Sequence, residues 1–165
     1  MSAIQIRRLC HDDCDKIGPL LREIWLDAYK GIQTEEELLE RSYEVHTPEL
    51  IELEIDDPKI CSVVALEGDR IIGHARSDHD NGAVEIVRLY LLREFYGRGI
   101  GKALLHEVED CFETAPEIWL DAWEDNKRAL EFYLAQGYKI MERATEVRSE
   151  GRDLYHFRMK KMVDN

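Results

Sequence analysis

The spacing of apolar positions changes along the chain and divides it into elements. Ile4 to Leu9 reads as a first strand, and the His11-Asp12-Asp13 cluster supplies an N-cap for an amphipathic helix running to about Tyr29. Glu35 to Val45 reads as a second helix. Thr47-Pro48-Glu49 opens a shorter third one, with a capping hydroxyl, a proline in the first turn and an early acid in the favoured order. Leu38, Leu39, Leu50, Ile51 and Leu53 make the inward faces of these two helices. From Ile60 the period becomes that of strands. Ile60 to Leu66 and Arg70 to Arg76 are joined by the hairpin signal Glu67-Gly68-Asp69, and Asp80-Asn81-Gly82 turns the chain into a third strand, Ala83 to Leu92. Counted by strict alternation, one face of that strand carries Glu85, Val87, Leu89 and Leu91, and the other Val84, Ile86, Arg88, Tyr90 and Leu92. Both are mostly apolar, which predicts a central strand covered on both sides.

The segment Tyr96-Gly97-Arg98-Gly99-Ile100-Gly101 then leads into a helix with Ala103, Leu104, Leu105 and Val108 on its apolar face. Glu117 to Trp123 reads as a strand, Asp125 to Gln136 as a helix, and Gly137 starts another strand. A last hairpin turns at Glu150-Gly151, and Asp153 to Met162 closes the sheet. This order predicts an α/β chain built on one mixed sheet, and nothing in the composition divides residues 1–165 into more than one domain.

Charge and composition narrow the function classes. Lys and Arg number 22 against 35 Asp and Glu, a formal net charge of −13. That balance argues against nucleic acid, whose backbone needs clustered bases, and against an anionic membrane. No run reaches the ~18 apolar residues of a membrane span, and Met1 to Asp15 lacks the apolar core of a signal peptide, so a soluble cytoplasmic domain is expected. Cys10, Cys14, Cys61 and Cys111 form no Cys-x-x-Cys pair, and four reduced thiols are expected. His11 between Cys10 and Cys14 has no second ligand pair to complete a zinc site, so no metal is expected.

Three glycines in five residues between a strand and a helix suit a phosphate, because glycine admits close backbone approach and the free N–H groups of a helix start attract anions. The loop is not a Walker A loop: Tyr96 and Ala103 stand where glycine and Ser or Thr are required. Nor is it a dinucleotide fingerprint, whose third glycine would fall on Lys102 or Leu104. Val87-Arg88-Leu89-Tyr90-Leu91 followed by Tyr96-Gly97-Arg98-Gly99-Ile100-Gly101-Lys102-Ala103-Leu104-Leu105 resembles instead the acetyl-CoA-binding motif of the GNAT superfamily of N-acetyltransferases, with Tyr96 where the family prefers Arg or Gln. Asn126, Ala129, Tyr133, Gly137 and Tyr138 fit the second signature of that family, in the right order. Trp119 to Asn126 and the Leu89-Tyr90-Leu91 strand are similar in particular to the bacterial polyamine (spermidine/spermine) N-acetyltransferase branch. The resemblance implies a single GNAT-like α/β domain, with a mixed, mostly antiparallel sheet flanked by helices, and an acyltransferase that takes its acetyl group from acetyl-CoA.

In that family the amine attacks the thioester directly, which requires a base for the ammonium proton, a donor for the carbonyl oxygen and an acid for the leaving thiolate. The resemblance runs the backbone of Leu89, Tyr90 and Leu91 beside the pantetheine, with the Leu91 N–H on the acetyl carbonyl. It gives the pyrophosphate to the loop and helix start formed by Tyr96, Gly97, Arg98, Gly99, Ile100, Gly101 and Lys102. Tyr133 matches the family's general acid near the sulfur; the competing reading is a core tyrosine beside Leu130 and Leu134. Asn126 either hydrogen-bonds pantetheine or helps its helix start. Glu85, six residues before Leu91, lies where several members carry a base. An acid in a nearly all-apolar strand would have its pKa raised toward useful basicity, and the competing reading is a solvated glutamate near Gly82. Trp119 and Trp123 either border the substrate or belong to the core, and His74 and His79 either assist proton removal or are structural.

The resemblance makes the acceptor a primary amine. Between Thr34 and Asp57 ten acids face the single base Arg41, a net of nine negative charges. In the family fold these helices border the acceptor side, so an acidic entrance would favour a polyamine, while two solvated helix faces account for the same residues. The alternatives are a protein or peptide N-acetyltransferase, an enzyme for another small amine, and a non-catalytic acyl-CoA-binding module; the last has no need to keep Tyr133 beside the glycines. A homodimer is left open.

Overall fold

The computed structural model describes residues 2–164, and the backbone alone at 146–148. Strand β1 (Ile4–Arg8) leads through a 3₁₀ turn into helices α1 (Cys14–Ala28), α2 (Glu35–Val45) and α3 (Pro48–Glu52). Three strands follow, β2 (Ile60–Glu67), β3 (Arg70–Asp80) and β4 (Ala83–Leu91), then α4 (Ile100–Asp110), β5 (Glu117–Trp123), α5 (Lys127–Ala135) and the hairpin β6 (Lys139–Ser149) and β7 (Arg152–Met162). They form one seven-stranded sheet in the order β1-β2-β3-β4-β5-β7-β6, antiparallel throughout except where β4 meets β5. This is the mixed, mostly antiparallel α/β sheet expected.

Local chemistry sets the element ends. Thr34 caps α2 by accepting the Glu37 N–H at 3.2 Å, while the Glu37 carboxylate accepts the Thr34 N–H at 3.1 Å. The cap expected for α1 works differently: the Asp13 carboxylate accepts from the Cys10 N–H at 2.9 Å and from the Arg7 fork at 2.7 and 3.1 Å, tying the helix start to β1. Asn81-Gly82 and Glu150-Gly151 both hold positive φ, as tight hairpin turns demand.

Helix α4 lies on one face of the sheet with Leu104, Leu105 and Val108 fully buried. It sits so close that a Cβ on Gly73 would come within about 3.0 Å of the Leu104 side chain. On the other face α1 and α3 bury Ile17, Leu21, Ile24 and Ile51. The apolar area so removed from water is what holds the two layers to the sheet.

Strict alternation fails in β4. Its register against β3 pairs Arg76 with Arg88 and Ser77 with Ile86, leaving Val87 as an extra residue. A bulge of this kind flips the side chains beyond it. Arg88 and Tyr90 therefore share the α1 side with Glu85, whereas Val84, Ile86, Leu89 and Leu91 all turn toward α4. The two mostly apolar faces expected from the sequence become one polar face and one apolar face.

The expectation of four reduced thiols is also corrected. Cys61 of β2 and Cys111 at the end of α4 form a disulfide across a sequence separation of 50, with Cα atoms 6.3 Å apart, while Cys10 and Cys14 are free. Packing of α4 on β2 brings the two sulfurs together, and linear spacing carries no trace of that. Among the described residues no group of His, Cys, Asp or Glu is arranged to hold a metal, and no helix is long and apolar enough to cross a membrane.

Candidate active site

Strands β4 and β5 pair only from Ala83–Glu117 to Ile86–Leu120. Beyond that point each continues without the other, and a cavity of about 810 Å³ opens through the gap, bounded by α1, β4, the glycine loop, β5, α5 and β7. Two chemically distinct ends meet there.

At the α4 end the glycine loop is shaped for an anion. Gly97 (φ +77°) and Gly99 (φ +79°) hold left-handed conformations that side chains resist, and a Cβ at Gly97, Gly99 or Gly101 would meet nothing within 4 Å. The loop leaves its backbone open to close approach by a ligand. Gly99 is the N-cap of α4, so the first N–H groups of the helix, at Ile100, Gly101 and Lys102, face this space without intrahelical acceptors. Lys102 and Arg128 line the same end, and the Arg128 guanidinium lies over the Tyr96 ring at 4.2 Å. Tyr96 thus stands where the motif prefers Arg or Gln, beneath an arginine supplied by α5. Asn126 starts its helix: its Oδ1 accepts the Ala129 N–H at 3.3 Å and caps α5, and the residue also borders the cavity.

Tyr133 faces the cavity from α5, its ring packed edge-on against Phe132 and Tyr138. Its hydroxyl makes no hydrogen bond among the described residues, and burial, with Tyr90 nearby, pushes the phenol well above its ordinary value. It stays protonated at neutral pH, with the proton available on the cavity side.

The other end lies against α1. Tyr29 and Tyr90 join hydroxyls at 3.2 Å, with the Trp25 ring beside both, and Trp123, Asp121 and His156 form the β5–β7 wall. Beneath that wall Arg158 forks onto Glu85 at 2.5 and 2.7 Å and reaches Asp121 at 3.4 Å, its guanidinium over the Trp119 ring. Two carboxylates share one guanidinium here, and the Lys160 ammonium also lies over the Trp119 ring at 5.1 Å.

Most sequence-derived site residues converge: Leu89, Tyr90, Leu91, Tyr96, Gly97, Gly99, Ile100, Gly101, Lys102, Asn126 and Tyr133 all line the cavity. Two do not. Arg98 lies on the outer surface with its guanidinium over Phe95, and Glu85 is taken up by Arg158 instead of sitting in an apolar strand. The acidic stretch from Thr34 to Asp57 also stays out of the cavity, which receives only Arg41 from it. Glu37 caps α2 and accepts from Ser149, Glu52 meets His11, and Glu54 is buried between Arg76, Arg88 and Ser62. His74 is sealed inside, its Nδ1 3.0 Å from the Val63 carbonyl, and His79 stacks on Phe112. Of the residues the sequence did not single out, Tyr29 and Arg128 occupy faces of helices read only as packing. Asp121 and His156 lie on strands whose order in the sheet is a tertiary fact.

A model of the acetyltransferase (GNAT) family matches residues 20–138. The chain belongs to that family. Its members in the same mould include the PaiA N-acetyltransferase of Thermoplasma acidophilum, solved with coenzyme A, which superposes with a TM-score of 0.85 at 28% identity over 98% of this chain and 99% of that one. A spermidine N(1)-acetyltransferase of the same organism is 28% identical over 84% of this chain and 89% of its own length. An uncharacterised N-acetyltransferase of Mycobacterium tuberculosis is 35% identical over 52% of this chain, and the match spans 57% of that relative's length. The GNAT donor is acetyl-CoA. The open glycine cradle, the helix start and the cations Lys102 and Arg128 fit its phosphates; what it supplies is a thioester-activated acetyl group.

Proposed function

We propose that this chain transfers the acetyl group of acetyl-CoA to a primary amine of a small polyamine, spermidine or spermine. The observation that carries the reading is the union, in one cavity, of the glycine cradle and Tyr133 with a tyrosine- and tryptophan-lined end into which the Asp121 carboxylate faces. Aromatic faces and the Asp121 carboxylate favour an alkylammonium chain. A relative bearing a spermidine acetyltransferase name along most of its length supports the same acceptor.

The protein's groups divide the work. The backbone N–H groups at the start of α4 hold the phosphates, and the backbone of Leu89 to Leu91, at the mouth of the gap, runs where a thioester carbonyl can be polarised. The amine nitrogen attacks the carbonyl carbon, the carbon–sulfur bond breaks, and the Tyr133 hydroxyl protonates the departing sulfur. Release of free thiol from acetyl-CoA, measured across spermidine, spermine, monoamines, aminoglycosides and peptide N-termini, tests the reading. Spermidine or spermine should give the highest kcat/KM, with KM rising as salt screens the Asp121 carboxylate. Turnover of a peptide with neither polyamine accepted would assign the protein-acetyltransferase alternative.

A further inference from the structure

The reaction needs a group that removes a proton from the incoming ammonium, and Glu85 is engaged elsewhere. The titratable groups lining the cavity are Tyr29, Tyr90, Tyr96, Tyr133, Arg41, Arg88, Arg93, Arg128, Lys102, Asp121 and His156. Phenols, guanidinium groups and amines hold their protons near neutrality, and a carboxylate beside an arginine is a weak base toward an alkylammonium. One imidazole remains, that of His156. We infer that His156, on β7, is the proton acceptor of the reaction, with Asp121 beside it.

The groups on β5 support the assignment. Asp121 Oδ1 lies 3.9 Å from His156 Nε2, and Trp123, its cross-strand neighbour on β5, meets the imidazole edge-on at 6.2 Å between ring centres. On β6 the residue opposite is Ala144, which brings no charge, and Glu142 lies opposite Arg158. Across the cavity stand Tyr29 and Arg41 from the helices and Arg88 and Tyr90 from β4. Arg88 is already neutralised, donating to Glu54 at 2.6 Å, and Arg158 is shared between Glu85 and Asp121. An imidazolium formed at His156 therefore has the Asp121 carboxylate beside it, while Arg41 across the cavity works against it. The side chain is 18% exposed, open to the cavity yet held.

The proton count closes. R–NH₃⁺ gives one proton to His156, and the freed amine attacks the acetyl carbon. The second nitrogen proton, lost after attack, replaces the one Tyr133 gives to the sulfur. His156 returns its proton to solvent, so acetyl-CoA and the ammonium yield amide, free thiol and one proton.

The inference rests on the proposed acetyl transfer but not on which amine is used, so spermidine and a monoamine are run in parallel. kcat/KM is followed from about pH 5 to pH 9, where an imidazole changes charge. In wild type it falls on the acid side. In His156→Gln it should drop about 10²-fold at neutral pH and lose that acid limb, with acetyl-CoA affinity unchanged, and added imidazole should restore His156→Ala. An acid limb persisting in a folded His156→Gln, on whichever amine is acetylated, overturns the assignment; failure of spermidine alone overturns only the acceptor. Should the variants not fold, carbethoxylation of the wild-type enzyme decides: activity must fall in step with modification of His156, and full activity with His156 modified sinks the idea.

Discussion

Tyr133 and His156 stand on opposite sides of the gap and differ in what surrounds them. Burial raises the Tyr133 phenol, with Tyr90 adding to the effect, so at neutral pH the proton is present when the thiolate departs. Tyr133→Phe keeps the ring contacts with Phe132 and Tyr138 and deletes that proton. kcat should fall about 10²-fold while the acetyl-CoA Kd, measured by calorimetry, stays within about twofold. Full turnover in this variant would make Tyr133 a packing residue. Glu85 illustrates the converse. Its position in the strand suggested an apolar setting, but the guanidinium of a residue 73 positions later meets it, and that partner could not be read from its neighbours in sequence.

Among the elements, β4 does the most to organise the site. Both glycine turns, the cap of α3, the order of helices and strands, and the donor loop with its helix were legible because each depends on residues a few positions apart. The faces of β4 were not, since the extra residue at Val87 shows only against β3. The polar face that results includes a buried network: Glu54 accepts from Arg76 and Arg88, and Arg88 approaches His74 Nε2 at 3.3 Å. Burial first, then Arg88, pushes His74 from 6.5 down to about 3, and His46, hydrogen-bonded to Ser42 in the adjacent helices, is pushed down to about 3 for the same reasons. The folded chain refuses protons that the unfolded chain accepts, so this stability is fully present above 6.5 and is lost as pH falls toward 3. Between about pH 6.5 and pH 5, where unfolded carboxylates stay ionised, unfolding free energy should decline by up to about 2.7 kcal/mol per pH unit, roughly 1.4 from each histidine. Urea denaturation across that interval checks it, and His74→Asn should halve the slope.

For the molecule as a whole, the divergence of β4 from β5 decides how two substrates can meet. The donor cradle lies toward α4 and the tyrosine-lined end toward α1, on opposite sides of one sheet. Neither substrate has to pass the other to reach the gap, and no residue needs to carry the acetyl group between them. Initial velocities with both substrates varied should give intersecting reciprocal plots, the signature of a ternary complex, whereas parallel lines would indicate a covalent acetyl-protein intermediate.

A sheet is ordinarily a wall, sealed by the hydrogen bonds between its strands. Here the wall has a window. The sill is set by the last bonded pair, Ile86 and Leu120, and one more pair of bonds would narrow it while leaving both surfaces intact. Such a chain would still hold its donor on one side and admit an amine on the other, yet the two could not touch. Loss of reaction with both ligands bound is thus a failure peculiar to this architecture. It would arise from mending the sheet rather than damaging it.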